Sequence, residues 1–373
     1  MEQHTLARRG TGLVGHDPAL AFDGYTLYAP LSAGGTDGGL VRLVDMAGQV
    51  VHEWRLPWRP GRHARILPNG NLAYNGVHPD GPELFGFWDK YRGGVMAEIA
   101  PDGTVVREHR DPMAHHDAHH LGEGRLLYTT LEALDPRDAS AIRGGVPGTE
   151  HEGVLHADVI TEVDAEGRET WRWRAIEHLD PAGYVLQPQY PREHWPLINS
   201  VWPLADGNVL ASLRSVSSVV VIERSSGKVV WRLGPEVLAQ QHNAHELACG
   251  NYLIFDNGVF RSGESVPYSR VIEVDPATKE IVWSYRDTQP EAFFTPFMGS
   301  AQRLPNGNTL AVESAFGRIV EVTAAGTVCW EYVVPELAPY TDPRLSRTVF
   351  APSNAIFRAY RYAAAELPWL GAR

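Results

Sequence analysis

Cysteine is scarce in this chain, and long apolar runs and clusters of basic residues are missing. Only two cysteines, Cys249 and Cys329, occur in 373 residues, which excludes a disulfide framework or a metal site built from thiolates alone. No run of about 18 apolar residues offers a membrane span, and no apolar segment follows the first residues as in a signal peptide. We therefore expect a cytoplasmic protein with no membrane partner.

The charge balance is acidic. The chain carries 33 Lys and Arg against 45 Asp and Glu, a formal charge of −12. Binding to DNA, RNA or an anionic membrane surface needs cations that neutralise phosphates, so the composition argues against all three. Apolar residues make up 43% of the chain, which is enough for a core. We expect a small molecule as the partner, and the sequence leaves the oligomeric state open.

Two short patterns alternate along the chain. In the first, a Leu is followed three residues later by a Gly and then by an apolar strand, which is typical of a hairpin turn. Its copies begin at Leu67, Leu121, Leu204, Leu247 and Leu304, with 348–354 as a degenerate sixth. In the second pattern two β runs flank a turn, and the later run carries an aromatic ring that we expect to pack between sheets. These rings are Trp54, His109, Trp171 with Trp173, Trp231, Trp283 and Trp330.

One copy of each pattern makes four strands, the size of one propeller blade. The repeats predict an all-β, six-bladed β-propeller with four-stranded blades. We expect one domain over 1–373, with an irregular segment at 1–23. Six blades take about 62 residues each, more than the roughly 40–45 of compact propeller repeats. We place the excess in long loops that cap one end of the channel, at 77–92, 131–155, 176–195 and 257–268.

The innermost strand of each blade lines the channel of a propeller, and we assign the strand of the first pattern to that place. The polar residues just before each Leu are then expected in the channel. Five residues before the Leu stand Arg62, His116, Asn199, His242 and Gly299. Further histidines occur close to this position, namely His63, His119, His120 and His245. Polar groups that converge from several blades are what a buried substrate site requires.

The histidines allow three interpretations. An imidazole that is neutral near pH 7 suits a nucleophile or a general acid or base. Alternatively, His116, His120 and His242 hold a divalent metal, although residues three apart, as in His-x-x-His, face opposite sides of a strand. In the third interpretation the histidines are structural and bind the propeller backbone. The same offset in two blades favours a functional role.

Other polar residues end the predicted inner strands. Arg214 ends the strand at 209–214 and offers a fork for a sulfate, phosphate or carboxylate. The acidic candidates for a base or a histidine partner, with local ion pairs as the alternative, are Glu132, Asp256 and Glu313. The candidates for an aromatic wall are Tyr74, Tyr128 and Trp195.

Several segments together resemble the arylsulfotransferase family over nearly the whole chain. They include Ile-Asn-Ser-Val at 198–201, Ser-Leu-Arg at 212–214, Gln-His-Asn at 241–243 and Phe-Asp-Asn-Gly at 255–258, with further matches at 24–30, 67–71, 231–234, 268–270 and 357–362. The resemblance implies a six-bladed propeller that moves a sulfuryl group from a phenyl sulfate ester to a phenol. It also implies that neither a nucleotide donor nor another cofactor is needed.

The resemblance also implies residue roles. On the matching positions His242, or alternatively His116, carries the sulfuryl group, and Arg214 and the remaining histidines hold its oxygens. The residues expected to contact substrate are His63, His119, Asn199, His245, Tyr128 and Glu313. The histidine that usually precedes Ile-Asn-Ser is Leu197 here. The chain lacks the export signal and disulfide of periplasmic members, which suggests a cytoplasmic branch with another substrate.

Two other functions remain open at this point. One is a lyase, hydrolase or isomerase acting on a small aromatic or anionic substrate, with a divalent metal held by channel histidines. The other is a non-catalytic binding propeller, which would be marked by a large exposed apolar face. The histidine-rich channel speaks against the binding propeller.

Overall fold

The computed structural model describes residues 10–346 and 352–372. Its strands are β1 (Gly12–His16), β2 (Tyr25–Pro30), β3 (Gly39–Val44), β4 (Val50–Leu56), β5 (Pro60–Ile66), β6 (Leu72–Gly76), β7 (Val95–Ile99), β8 (Val105–Arg110), β9 (Ala114–Gly122), β10 (Arg125–Ala133), β11 (Gly144–Val146), β12 (His156–Val163), β13 (Glu169–Arg174), β14 (Leu186–Pro191), β15 (His194–Trp195), β16 (Ile198–Pro203), β17 (Val209–Leu213), β18 (Ser218–Ile222), β19 (Val229–Leu233), β20 (His242–Glu246), β21 (Tyr252–Asp256), β22 (Arg270–Val274), β23 (Ile281–Tyr285), β24 (Ser300–Arg303), β25 (Thr309–Glu313), β26 (Arg318–Val322), β27 (Val328–Val333) and β28 (Ile356–Tyr362).

Helices are short. The α-helices are α1 (Trp88–Tyr91), α2 (Pro136–Ala141), α3 (Ala175–His178) and α4 (Pro343–Ser346). Single 3₁₀ turns occur at Ala33–Gly35, Arg214–Val216, Pro290–Ala292, Ser314–Phe316, Ala364–Glu366 and Leu370–Ala372. Within 10–346 and 352–372, no helix has the length and apolar character needed to cross a membrane.

Six antiparallel sheets form six blades, as predicted. From the innermost strand outwards, they are blade I (β28-β2-β3-β4), blade II (β5-β6-β7-β8), blade III (β9-β10-β12-β13), blade IV (β16-β17-β18-β19), blade V (β20-β21-β22-β23) and blade VI (β24-β25-β26-β27). The innermost strands contact one another from I to VI and back to I, so the ring closes. Blade I joins the two ends of the chain, because β28 pairs with β2. Beyond the blades, β1 pairs with β27, β15 with β12, and β11 with β14.

Three expectations need correction. The innermost strand precedes each Leu-x-x-Gly turn, and the apolar strand after the turn is the second strand of its blade. This second strand is apolar because other strands cover both of its edges and both of its faces are buried, as in β17. Residues Gly12–His16 form a strand on blade VI rather than irregular chain, and 1–9 lie outside the described residues. Most of the expected sixth repeat copy, 348–351, lies outside the described residues too, and the innermost strand of blade I is β28.

In most blades, a tryptophan on the outermost strand forms a hydrogen bond to the next blade. Its indole N–H donates to a backbone carbonyl in the turn between the third and fourth strands of the following blade, at 2.8–3.1 Å. These bonds join Trp54 to Ala100, Trp173 to Gly227, Trp231 to Pro276, Trp283 to Ala324 and Trp330 to Met46. In blade II His109 takes this place and lies 3.3 Å from the hydroxyl of Tyr128. The aromatic residues therefore pack between sheets as predicted, and their polar atoms are satisfied.

Bulges interrupt the innermost strands near one end of the channel. In β9, His115 and Ala118 lie opposite adjacent residues of β10, so His116 and Asp117 are extra residues without a partner on that strand. The innermost strands of blades I, II and IV have similar register shifts. Bulges re-aim side chains out of the regular alternation. Several channel side chains therefore lie where the regular in-and-out alternation of side chains along a strand is interrupted.

The bulge in β20 corrects the argument about His-x-x-His spacing. His242 lies opposite Phe255 and His245 lies opposite Leu253, so three residues of β20 span two of β21. Because Phe255 and Leu253 share a face of their strand, His242 and His245 also share a face. The two histidines still lie at different depths along the channel.

Candidate active site at the channel entrance

Two imidazoles and two guanidinium groups come together at one end of the channel. His116 and His242 are buried, and burial is the main cause that lowers the pKa of each. The charge of Arg62 further lowers the pKa of His116, and the charge of Arg214 lowers that of His242. A charge on His242 would lower the pKa of His116 as well. Burial and the nearby cations therefore favour the neutral form of both imidazoles.

The hydrogen bonds of His242 define its tautomer. Its Nδ1 faces two acceptors, Oδ1 of Asn257 at 2.7 Å and the carbonyl oxygen of Gln240 at 3.1 Å. The amide of Asn257 is itself oriented, because its nitrogen donates to the carbonyl oxygens of Thr295 and Met298. The proton of His242 thus sits on Nδ1, and the lone pair sits on Nε2. That lone pair accepts a bond from the backbone N–H of Met298 at 3.1 Å.

Arg62 is a buried cation beside two aromatic rings. Its guanidinium carbon lies 5.4 Å from the ring centres of both Tyr91 and Phe357. Within 10–346 and 352–372, no carboxylate lies at ion-pair distance from it, and its buried Nε has no hydrogen bond. Burial lowers the pKa of Arg62, and the charges of Arg59 and Arg214 lower it further. An uncompensated buried charge is costly, so this arrangement favours a bound anion.

Arg214 has a similar setting at the edge of the same site. It follows β17 and is half-buried, with its guanidinium carbon 5.3 Å from the ring centre of Tyr190. Its guanidinium donates one hydrogen bond, to the amide oxygen of Gln240 at 3.3 Å, and no carboxylate in the described chain pairs with it. The backbone N–H of Arg214 donates to the carbonyl oxygen of Leu197 at 2.8 Å. Leu197, which stands where a histidine was expected, therefore lies beside the site.

Two of the expected capping loops supply aromatic rings to this end. Tyr91 lies in the 77–92 loop, in α1, and its ring centre is 4.4 Å from that of His116. Tyr190 lies in the 176–195 loop, on β14, and donates a hydrogen bond to Gln240 at 2.8 Å. Together with Phe357 on β28, these rings give the cationic site aromatic walls.

The other predicted channel residues lie deeper. His63 lies 2.7 Å from a carboxylate oxygen of Asp117, at the centre of the ring. The amide nitrogen of Asn199 donates to the carbonyl oxygen of Gln241 at 2.8 Å. His119 and His245 pack on Trp202, with ring centres 4.8 and 5.3 Å from it. The structure does not bring these residues into contact with His116 or His242.

The remaining candidates sit in local interactions between or within blades. Tyr128 donates to Asp111 at 3.1 Å, Tyr74 to the Trp58 carbonyl at 2.7 Å and Trp195 to the Tyr184 carbonyl at 2.8 Å. Ion pairs join Glu313 to Arg318 at 2.6 Å, Glu132 to Arg174 at 2.9 Å, and Asp256 to Arg261 and Arg270 at 2.8 Å. Local ion pairs, the alternative considered for these acids, are what the structure shows.

Of the histidines considered as metal ligands, His116 and His242 lie at the same end of the channel, whereas His120 lies apart from them. His120 lies four residues beyond His116, where it faces a small void shared with His63 and Tyr74. In the described part of the chain, the cluster with ligand spacing is His115, Asp158 and His194 instead. A surface depression lined by 50–55 and 101–103 contains none of the predicted site residues.

Sequence reasoning placed Arg62 in the channel but did not select it for the site. The signal was present, because Arg62 stands at the same offset from its Leu as His116 and His242. Tyr91 and Tyr190 were missed, because they come from loops whose paths the repeat does not determine.

Comparison with known proteins adds a family and a fold. A family model described as arylsulfotransferase (ASST) matches residues 95–334. A protein of unknown function from Bacteroides caccae is 14% identical, with a TM-score of 0.52 over 83% of this chain and 94% of that chain. A catalytically inactive variant of virginiamycin B lyase from Staphylococcus aureus, solved with quinupristin, is 11% identical, with a TM-score of 0.46 over 87% of this chain and 85% of that chain. The B. caccae structure supports the fold alone. No curated protein sequence matches significantly.

Proposed function

The chain belongs to the arylsulfotransferase family, and on that premise we propose that it transfers a sulfuryl group between phenolic compounds, with His242 as the nucleophile. The observation that carries the proposal is that Arg62 and Arg214, which have no carboxylate partner among the described residues, lie beside the neutral imidazole of His242. A sulfate ester supplies the anion that these cations lack, and the imidazole supplies the lone pair.

The reaction has two steps. In the first, Nε2 of His242 attacks the sulfur of an aryl sulfate, the N–S bond forms, the S–O bond to the aryl group breaks, and a phenolate leaves. In the second, the oxygen of an acceptor phenol attacks the sulfur, the N–S bond breaks, and His242 is restored. The proton lost by the acceptor balances the charge of the departed phenolate. No nucleotide donor and no redox cofactor enters this balance.

The surrounding groups have matching tasks. Arg62 and Arg214 offset the negative charge on the transferred oxygens, which is the main requirement of such a transfer. The bond from Asn257 keeps the proton of His242 on Nδ1, so that Nε2 stays nucleophilic. Attack requires Nε2 to release the N–H of Met298, which then becomes free to donate to a sulfuryl oxygen. Leu197 occupies the position where the family resemblance implies a histidine, and Arg62 supplies a positive charge to the site in its place.

The experiment uses 4-nitrophenyl sulfate as donor and phenol as acceptor, with nitrophenol release followed by absorbance. We expect release by the wild type and its loss in His242→Ala. His16→Ala is the control, because His16 is an exposed histidine on β1. Incubation with donor alone should add the mass of one SO₃ unit to the wild type and none to His242→Ala. No release by the wild type, or equal release by His242→Ala, would refute the proposal.

His116 is the alternative nucleophile, and the same mass measurement separates the two. Retention of the SO₃ adduct in His242→Ala together with its loss in His116→Ala would move the nucleophile to His116. The reaction class would then stand with the roles exchanged.

A further inference from the structure

A second cluster of donor atoms lies next to His116. His115 on β9, Asp158 on β12 and His194 on β15 are buried, and one ligand atom from each lies within 4.8 Å of the other two. Nε2 of His115 is 3.1 Å from Oδ1 of Asp158, and Nε2 of His194 is 3.0 Å from Oδ2 of the same carboxylate. We propose that these three residues bind a divalent transition-metal ion, with Zn²⁺ as the best fit.

The first argument is that the hydrogen bonds within the cluster are incomplete. His194 and Asp158 form an aligned hydrogen bond. His115 and Asp158 do not, because their 3.1 Å contact is poorly aligned, and Nε2 of His115 and Oδ1 of Asp158 are both buried without another partner among the described residues. Buried polar atoms are nearly always satisfied, so two adjacent orphan atoms require an explanation. A cation between them satisfies both.

The second argument comes from the outer ring nitrogens. Nδ1 of His115 lies 2.9 Å from Nδ1 of His116, and Nδ1 of His194 lies 3.5 Å from the hydroxyl of Tyr91. In metal-bound histidines, the ring nitrogen that does not contact the metal usually donates its hydrogen to a carboxylate, a backbone carbonyl or water, which fixes the orientation of the ring. Here a neighbouring imidazole and a tyrosine hydroxyl take that place. Both imidazoles therefore direct Nε2 towards the carboxylate.

The donor set indicates which ion fits. Two imidazole nitrogens and one carboxylate oxygen suit Zn²⁺ and similar first-row cations, whereas Ca²⁺ and Mg²⁺ prefer oxygen donors only. Aromatic rings shield the cluster, since Phe85 lies 5.9 Å from His194 and Trp88 lies 6.4 Å from His115, measured between ring centres. Three protein ligands leave a coordination position for water.

The metal has a consequence for His116, which rests on the proposed function. Coordination through Nε2 leaves the proton of His115 on Nδ1, which then donates to Nδ1 of His116. His116 consequently carries its own proton on Nε2. In that tautomer His116 donates a hydrogen bond to a sulfuryl oxygen and is not a nucleophile, which agrees with the assignment of His242.

The test measures metal binding directly. Full-length protein is freed of metal with a chelator, titrated with Zn²⁺ or Co²⁺, and desalted, and metal content and the visible absorption of Co²⁺ are recorded. We expect one equivalent per chain and intense Co²⁺ bands typical of low coordination. Asp158→Asn and His194→Gln should each weaken binding by more than about 100-fold, because even partners of the ligands contribute 10–100-fold. His109→Gln, a half-buried histidine between blades II and III, should bind like the wild type.

The outcomes separate the metal site from the proposed function. Equal metal content in the wild type and His194→Gln would show an adventitious ion and overturn the site. Absence of stoichiometric binding or of Co²⁺ bands in folded wild type would overturn it too, whether or not the variants fold. Nitrophenol release does not enter this test, so loss of transferase activity would leave the metal site standing. Metal-free wild type that still transfers sulfuryl groups would leave the transferase standing.

Discussion

Arg358 donates two hydrogen bonds to the carboxylate of Asp117 across the centre of the channel, at 3.0 and 2.9 Å, although 241 residues separate them. Arg358 belongs to blade I and Asp117 to the bulge of blade III. His63 of blade II lies 2.7 Å from the same carboxylate, and the backbone N–H of Val201 in blade IV donates to it at 3.0 Å. One carboxylate therefore links four of the six blades.

Breaking this pair should destabilise the ring. Arg358→Met keeps much of the side-chain volume but leaves Asp117 as a buried, poorly compensated charge. Loss of one partner of a buried ion pair costs about 3–5 kcal/mol. We expect urea unfolding to show a loss of this size, and the double variant with Asp117→Asn to recover part of it. A loss below about 1 kcal/mol for Arg358→Met would show that the pair contributes little.

The sequence predicts the six-bladed ring better than the hydrogen bonds and ion pairs that cross its centre. Each Leu-x-x-Gly turn joins the first strand of a blade to the second. Residues at the same distance before each Leu therefore lie at equivalent positions along the channel in different blades. That is why Arg62, His116 and His242 share one end of the channel. The link between Asp117 and Arg358 could not be read in this way, because it joins blades that are not neighbours.

The bulges themselves could not be predicted, although the repeat did place His116 in the channel. His116 and Asp117 are the extra residues of a bulge, and no repeat position reveals a bulge. Tyr91 and His194 lie in segments between regular strands, and their approach to His116 depends on how those segments pack. The same loops that lengthen the blades thus bring the residues that distinguish this site.

A second prediction concerns anion binding at the channel entrance. Inorganic sulfate should raise the unfolding temperature of the wild type, because a ligand that binds only the folded state stabilises it. Arg62→Met should weaken this effect, with an apparent affinity about 10- to 100-fold lower, since a hydrogen bond to a charged group contributes about 1.5–3 kcal/mol. Arg65→Met is the matched control, as Arg65 lies on the same strand and donates to the His120 carbonyl instead. Equal sulfate dependence in both variants would contradict the prediction.

A third prediction is acid sensitivity. Burial lowers the pKa of His63, His120 and His245 to about 4, from an ordinary value of 6.5. Between pH 6.5 and 4 the unfolded chain binds protons at these histidines and the folded chain does not, so stability falls as the pH is lowered. Each contributes a slope of up to about 1.4 kcal/mol per pH unit in this window.

The measurement is the urea midpoint at pH 7 and at pH 5. His245→Gln removes one of these groups, so its stability should fall less between the two pH values than that of the wild type. His16→Gln, at an exposed position, should follow the wild type. A fall in His245→Gln as large as in the wild type would show that protonation of His245 is not part of the effect.

The last prediction tests how His242 is held. Asn257→Leu removes the acceptor at 2.7 Å from Nδ1, leaves only the Gln240 carbonyl at 3.1 Å, and weakens the preference for a lone pair on Nε2. On the proposed function, Asn257 positions the nucleophile and does not itself bind the sulfate, so kcat for nitrophenol release should fall by about 100-fold while KM changes little. Asn75→Leu is the matched control, a buried asparagine in blade II for which we expect near wild-type kcat if the protein stays folded. A rise in KM with unchanged kcat would mean that Asn257 acts on substrate binding, and equal kcat values in the two variants would remove the role assigned to the Asn257–His242 hydrogen bond.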